Sequence, residues 1–256
     1  MPAPSESPRW VDTHCHLQLT DAEPRTLLDR AADVEWVVVP GIDLTSSLAS
    51  LALAKLFPGR VLPTAGLHPH DADRWPQEAD AIAGLLDRVA AVGECGLDFY
   101  RNLSPAKAQR TAFSDQLALA ADAGLPVIVH TRDAFADVHD LVSASGHADR
   151  VVLHCWTGGP RWTKRFLDLP VTFSFAGPVA FETGDTVRRG AALVPPERCL
   201  VETDTPYLSP PPFRGEPNEP GRVALVGAAL AALWGLGVDE VADLTRRRAN
   251  EVFGHA

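Results

Sequence analysis

Cysteine is scarce, at four residues in 256, and no two of them form a CxxC pair. That excludes a disulfide-stapled scaffold and a structural zinc ribbon. Positive charge is also in short supply, with 23 Lys and Arg against 33 Asp and Glu and a net charge of −10. That argues against a protein that grips nucleic acid through a broad basic face. Long apolar runs are missing too. The longest, Val223–Val238, holds 16 residues including three glycines, short of the ~20 needed to cross a bilayer. The opening MPAPSESPRW lacks the apolar stretch of a targeting segment. These absences predict a cytoplasmic chain that does not enter membranes and whose thiols are free. No low-complexity tract or linker marks a second domain. The expectation is one domain over residues 1–256, with 1–9 as a flexible lead-in.

What is present fits a globular fold: 46% of residues are apolar and 22% charged. Short β-branched or apolar runs recur at Trp10–Thr13, Trp36–Pro40, Val61–Gly66, Val89–Gly93, Pro126–His130, Val151–His154, Val171–Phe175 and Arg198–Glu202. Stretches of helical periodicity lie between them. The clearest is Ser104–Ala123, with Ser104 expected as N-cap, Pro105 at the first helical position and Gly124 as the stop. A terminal helix is expected over Val238–Phe253, and Ser209–Pro220 reads as a structured proline-rich loop. Strands alternating with helices imply a parallel sheet. Runs such as WVVVP are apolar throughout, as befits strands covered on both faces. Eight such units in a chain close to the ~250 residues of a (β/α)8 TIM barrel favour that fold over an open sheet.

The polar residues able to do chemistry fall at the ends of these strands. They are Asp12–His16, Gly66–His70, Gly93–Asp98, His130–Asp133, His154–Trp156 and Glu202–Asp204. In a barrel all these ends share one rim, where active sites are built. His14 and His16, two apart on an extended chain, face the same way, while Cys15 faces away. Imidazoles and carboxylates are ligands for Zn2+, Mn2+ and similar ions. His14, His16, Glu94, His130, His154 and Asp204 would suffice for two of them. Glu94 is expected to bridge, and Asp204 to be an end ligand that steers or deprotonates the attacking water. Cys15, Cys95 and Cys155 are expected to turn from the pocket as small buried thiols, with Cys199 in the core.

Three further residues complete the expected substrate pocket. Arg132, two after His130, offers a planar fork for phosphate oxygens or an ion pair to Asp133 or Asp137. His68 touches substrate or holds the GLHPH turn. Glu202 stands behind a histidine ligand or in a buried carboxylate network. Asp98 is expected to anchor its loop. Trp156 is a candidate for stacking on a base or for packing.

The segments DTHCHL, GLHPHDA, GECGLDFYR, LPVIVHTRDA, LHCWTGG, LVETDTPYLSPPPFRGEPNEP and ANEVFG together resemble the TatD family of metal-dependent deoxyribonucleases, among the amidohydrolase-like barrels. The resemblance runs from Asp12 to Phe253. It implies a TIM barrel of the metallo-dependent hydrolase type and a phosphodiesterase acting on DNA, commonly as a 3′–5′ exonuclease. Single-stranded ends should be preferred, since a rim pocket admits a terminal nucleotide more easily than a duplex, and RNA ends fit as well. The family's metal-binding pattern falls on His14, His16, Glu94, His130, His154 and Asp204. Its activity is often supported by Mg2+, whereas a histidine-rich ligand set favours Zn2+, Mn2+ or Ni2+; two ions per chain are expected. Glu182 and Glu216 stand where relatives often carry basic residues, which removes positive charge near the expected mouth. The alternative chemistry for such a site is cleavage of an ester or amide, as in a D-aminoacyl-tRNA deacylase. The carboxylated lysine of many amidases has no candidate, since Lys55, Lys107 and Lys164 all lie in predicted helices or adjacent loops. A metal-loaded scaffold without catalysis is a third reading, disfavoured because it needs no open metal site. A monomer is favoured.

Overall fold

The computed structural model describes residues 8–254. Its strands are β1 (Trp10–Asp12), β2 (Val34–Val39), β3 (Val61–Ala65), β4 (Ala91–Asp98), β5 (Val127–Arg132), β6 (Val151–Leu153), β7 (Thr172–Phe175) and β8 (Cys199–Val201). After β1 and after each later strand in turn comes a helix: α1 (Pro24–Arg30), α2 (Leu44–Leu56), α3 (Trp75–Ala83), α4 (Ala106–Ala123), α5 (Phe135–Ala144), α6 (Gly159–Leu167), α7 (Asp185–Ala191) and α8 (Val223–Trp234). A last helix, α9 (Val238–Phe253), follows α8.

The strands pair in chain order, each parallel to the next. Backbone bonds close the ring between its ends: Thr13 N donates to Val201 O at 3.1 Å, His16 N to Thr205 O at 2.7 Å and Asp204 N to His14 O at 2.8 Å. The fold is the expected (β/α)8 TIM barrel. Strand alternation builds two cores from one apolar run. Val37 and Val39 of β2 face the helices, whereas Trp36 and Val38 fill the barrel interior with Val11, Leu62, Ile128, Val152 and Leu200. Phe253 of α9 packs edge-on against Trp36, with ring centroids 6.1 Å apart. The foot of the barrel is thereby plugged, and the polar residues are left at the opposite rim. No single helix among the described residues is long and apolar enough to cross a membrane.

Two local expectations are corrected. Residue 104 does not cap α4; Pro105 occupies the N-cap position. The Ser104 hydroxyl instead donates to His70 O at 2.8 Å and lies 3.1 Å from Asp73, tying two rim loops together. Strand β4 does not stop at Gly93 but runs on to Asp98. Gly93 and Gly96 hide this extension, because they interrupt the apolar run. Both have positive φ, +130° and +135°, and the register against β5 shifts between Val92 and Cys95. Such an irregularity re-aims side chains at a barrel rim, here those of Glu94 and Asp98. Of the expected flexible lead-in, residues 1–7 lie outside the described residues. Arg9 is held, donating to Ala32 O at 3.0 Å.

Candidate metal centre

Backbone extension beyond β1 carries His14 and His16 side by side over the barrel mouth. Their Nε2 atoms lie 3.1 Å apart, and Cys15 between them packs into the helix-side core. Glu94 reaches the same point from β4. Its Oε2 is 3.2 Å from His14 Nε2 and 3.6 Å from His16 Nε2. Asp204 comes from the turn after β8, with Oδ1 at 3.8 Å and 3.6 Å from the same two nitrogens. His154 stacks on His14 with ring centroids 3.6 Å apart, and its Nε2 lies 3.8 Å from Glu94 Oε1 and 3.9 Å from Asp204 Oδ1. The other Glu94 oxygen meets a second group: His130 Nδ1 at 3.0 Å and His68 Nε2 at 3.5 Å.

Spacings of this kind match a coordination shell. Ligands about 2.1 Å from an ion sit roughly 3.0–3.4 Å from one another in octahedral or tetrahedral geometry. Four histidine nitrogens and the carboxylates of Glu94 and Asp204 offer lone pairs to two adjoining points, with Glu94 facing both. Residues His14, Glu94 and His154 form one group with mutual ligand distances within 4.8 Å; His14, His16 and Asp204 a second; His68, Glu94 and His130 a third. The Nδ1 atoms of His14 and His16 are buried without a hydrogen-bond partner, so nothing holds these rings from behind and an ion on the clustered Nε2 atoms would fix them. The donor set therefore fits divalent cations.

Electrostatics point the same way. Burial would raise the Glu94 carboxyl, yet the imidazoles of His14, His154 and His68 outweigh it and hold the group well below its ordinary range. Asp204 is likewise held down against burial, by His16, His154 and His14. Burial lowers His68 to about 4 despite Glu94. It would lower His154 as well, but Glu202 and Glu94 push that ring up to about 10. Both carboxylates are thus charged at neutral pH, as ligands must be.

Each of the remaining expected residues has a definite place. Glu202 stands behind His154, with Oε1 2.6 Å from Nδ1. Arg132 ends β5 and lines the mouth. It has no carboxylate partner among the described residues, because Asp137 pairs with Arg110 at 2.6 Å. Its guanidinium carbon lies instead 4.1 Å from the centroid of the Tyr100 ring. Trp156 is only 2% exposed and donates from Nε1 to Thr163 Oγ1 at 2.8 Å, which makes it a packing residue. Cys15 and Cys95 are buried in the helix-side core, but Cys155 lines the mouth beside His154. Its φ of +44° breaks the alternation that would have turned it away. Glu216 pairs with Arg222 at 3.2 Å, and neither it nor Glu182 lines the mouth.

Sequence reasoning missed the reach of Asp98 and the part played by His70 and Gln109. Asp98 Oδ2 sits 2.9 Å from His70 Nε2 and 3.3 Å from His130 Nε2, so this carboxylate orients a proposed ligand as well as its loop. Gln109 of α4 accepts from Asp98 N at 2.8 Å and donates to Ser104 O at 2.8 Å. The second histidine of GLHPH was a usable signal; a helical glutamine facing inward carried none.

The mouth is a double-lobed cavity. One lobe, about 340 Å³, lies toward His68, His70 and Asp71. The other, about 590 Å³, lies toward Phe135, Cys155 and Thr157. His130, His154 and Asp204 stand at their junction, and the cations lining both are Arg101 and Arg132.

A metal-ligand rim on a TIM barrel defines the metallo-dependent hydrolase class. The sequence family described as TatD related DNase matches residues 11–254, and the chain belongs to it. A Bacillus subtilis protein named uncharacterized metal-dependent hydrolase YabD is 34% identical over 251 residues, covering 94% of this chain and 98% of its own length. The 3′-5′ ssDNA/RNA exonuclease TatD of Enterobacter lignolyticus is 37% identical over 235 residues, covering 88% and 90%. The crystal structure of YjjV, a TatD homologue from Escherichia coli K12, superposes with a TM-score of 0.87 at 28% identity, covering 96% of this chain and 98% of that one. The protein is a TatD-family metal-dependent hydrolase.

Proposed function

We propose that the protein is a 3′–5′ exonuclease that hydrolyses phosphodiesters at single-stranded DNA ends, with RNA ends as a second substrate. The observation that carries this reading is the meeting of two ligand groups on Glu94, in the lobe that joins the second at His130, His154 and Asp204, with Arg101 and Arg132 lining both. The exonuclease relatives support the polarity. Two divalent cations held there (Mg2+, Mn2+ or Zn2+) would supply charge stabilisation to phosphoryl oxygens and acidify water.

The chain's own residues do the rest. His14, His16, Glu94, His130, His154 and Asp204 would hold the ions, with Glu94 facing both ligand groups. Asp204, ionised and facing both lobes, accepts the proton of the attacking water. Arg132 presents its fork to the non-bridging oxygens, where negative charge grows. His68 shares Glu94 with His130 and stands at the edge of the phosphate position. Glu202 fixes the His154 ring through Nδ1. Lys55, Lys107 and Lys164 sit on α2, α4 and α6, outside the barrel. No lysine therefore reaches the centre to be carboxylated, which supports phosphodiester over amide cleavage. The free thiols fit a reducing cytoplasm, and we take the protein as a monomer of one domain.

The test is a metal panel with 3′- and 5′-labelled single-stranded DNA, a duplex control and a D-aminoacyl ester. The expected result is metal-stimulated release of nucleotides from the 3′ end that Glu94→Ala abolishes. Turnover of the acyl ester alone, or nuclease activity that survives Glu94→Ala, overturns the reading.

A further inference from the structure

The chain has two tyrosines. Both are open to solvent, Tyr100 at 61% and Tyr207 at 53% exposure; Tyr207 lines the mouth, and Tyr100 packs against Arg132, which does. Tyr100 follows β4 and Tyr207 follows β8. In a closed ring of eight strands in chain order, β4 and β8 are diametrically opposed, so the two rings stand on opposite sides of the metal-ligand cluster.

Each is held in place. The β4–β5 pairing continues through Phe99 N donating to Arg132 O at 2.9 Å, which sets Tyr100 beside Arg132. The Arg132 guanidinium packs on the Tyr100 ring, and Arg132 itself lines both lobes of the cavity. Tyr207 N donates to Asp204 O at 2.8 Å. Asn218 Nδ2 then grips Tyr207 O at 2.8 Å and Thr203 O at 2.9 Å. The Tyr207 ring meets the edge of His16, with centroids 6.2 Å apart, and lines both lobes.

We propose that Tyr207 and the Tyr100–Arg132 stack form a nucleotide clamp: Arg132 takes the scissile phosphate, and Tyr207 stacks on a base next to it. The inference rests on the nuclease reading and adds what that reading lacks, a base-binding wall. A base must be unpaired to lie on Tyr207, so the clamp selects single strands. Stacking is indifferent to base identity, because every base has a π-face. Tyr100 is a positioning residue that acts through Arg132.

The experiment compares two single-stranded oligonucleotides, one all-thymidine and one with its last two 3′ nucleotides abasic. The wild-type enzyme is expected to cleave the abasic substrate about tenfold less efficiently, the worth of one stacked base. Tyr207→Leu loses about tenfold on the thymidine substrate and nothing further on the abasic one, and Tyr207→Phe restores the preference. Tyr100→Leu lowers kcat by the same factor on both substrates, since it acts through the charge-stabilising Arg132, and Tyr100→Phe restores it. Both rings are exposed, so thermal melts of the variants should match the wild type. A Tyr207→Leu enzyme that keeps the base preference, or a wild type that cleaves both substrates equally, overturns the clamp alone. An equal kcat for Tyr100→Leu and wild type removes Tyr100 from it. A wild type that cleaves neither oligonucleotide overturns the nuclease reading and the clamp together.

Discussion

Glu202 holds His154 from behind: its Oε1 is 2.6 Å from His154 Nδ1, while its Oε2 accepts from Ser174 Oγ at 2.5 Å. The carboxylate also accepts from Cys155 N at 2.7 Å, so three partners fix one side chain. A carboxylate in that position orients the ring and raises its basicity toward an ion on Nε2. Glu202→Gln is expected to weaken metal affinity by about 10- to 100-fold with the fold intact. Chelator competition followed by circular dichroism measures both.

Stability of the metal-free protein should fall as pH rises from about 6.5 to about 10. His154 is raised in the fold to about 10, so its contribution is full below its unfolded value of 6.5 and is lost as pH climbs through 10. Asp12 adds to the same slope: burial lifts it to about 8, against the donors from Thr203, so the fold binds a proton there that the unfolded chain has shed. Saturating Mn2+ should flatten the slope, because a coordinated imidazole is neutral. Urea midpoints across this range, with and without metal, decide the point.

Gly96→Ala is expected to cost about 3 kcal/mol or more. The residue has a φ of +135°, and an added Cβ would collide with the backbone carbonyl of His130. The collision lies between Glu94 and Asp98, so metal affinity should fall along with the melting temperature. A variant as stable as the wild type would show that β4 can be straightened.

Reconstitution should not need carbon dioxide. Lys55, Lys107 and Lys164 are on outer helices, so no carbamate can be a ligand. Protein stripped with a chelator and reloaded with Mn2+ in bicarbonate-free buffer is expected to recover full activity, and added bicarbonate should change nothing.

How legible the molecule was depends on the kind of residue. Trp36–Val39 announced a strand covered on both faces, and the helix Val238–Phe253 begins and ends where its periodicity does. The grouping of six ligand candidates followed from one inference, that eight parallel strands end on one rim. At β4 and Cys155 the backbone departs from regular geometry, which no apolar pattern records, whereas Ser104 gives up its capping role for a bond to His70 O. Gly93 and Gly96 concealed half of β4, and Cys155 turned into the mouth on a positive φ.

The sequence by itself determined the barrel and its rim of candidate metal ligands, because both rest on repeating patterns: apolar runs at strand spacing and ligand-type residues at strand ends. Tertiary structure alone decided which residues stand opposite or behind those ligands: Glu202 at His154, Asp98 between His70 and His130, Tyr100 under Arg132 and across the mouth from Tyr207. These pairings join strands and loops far apart in the chain. Their distances depend on ring closure and on local bulges, and no short-range pattern encodes either.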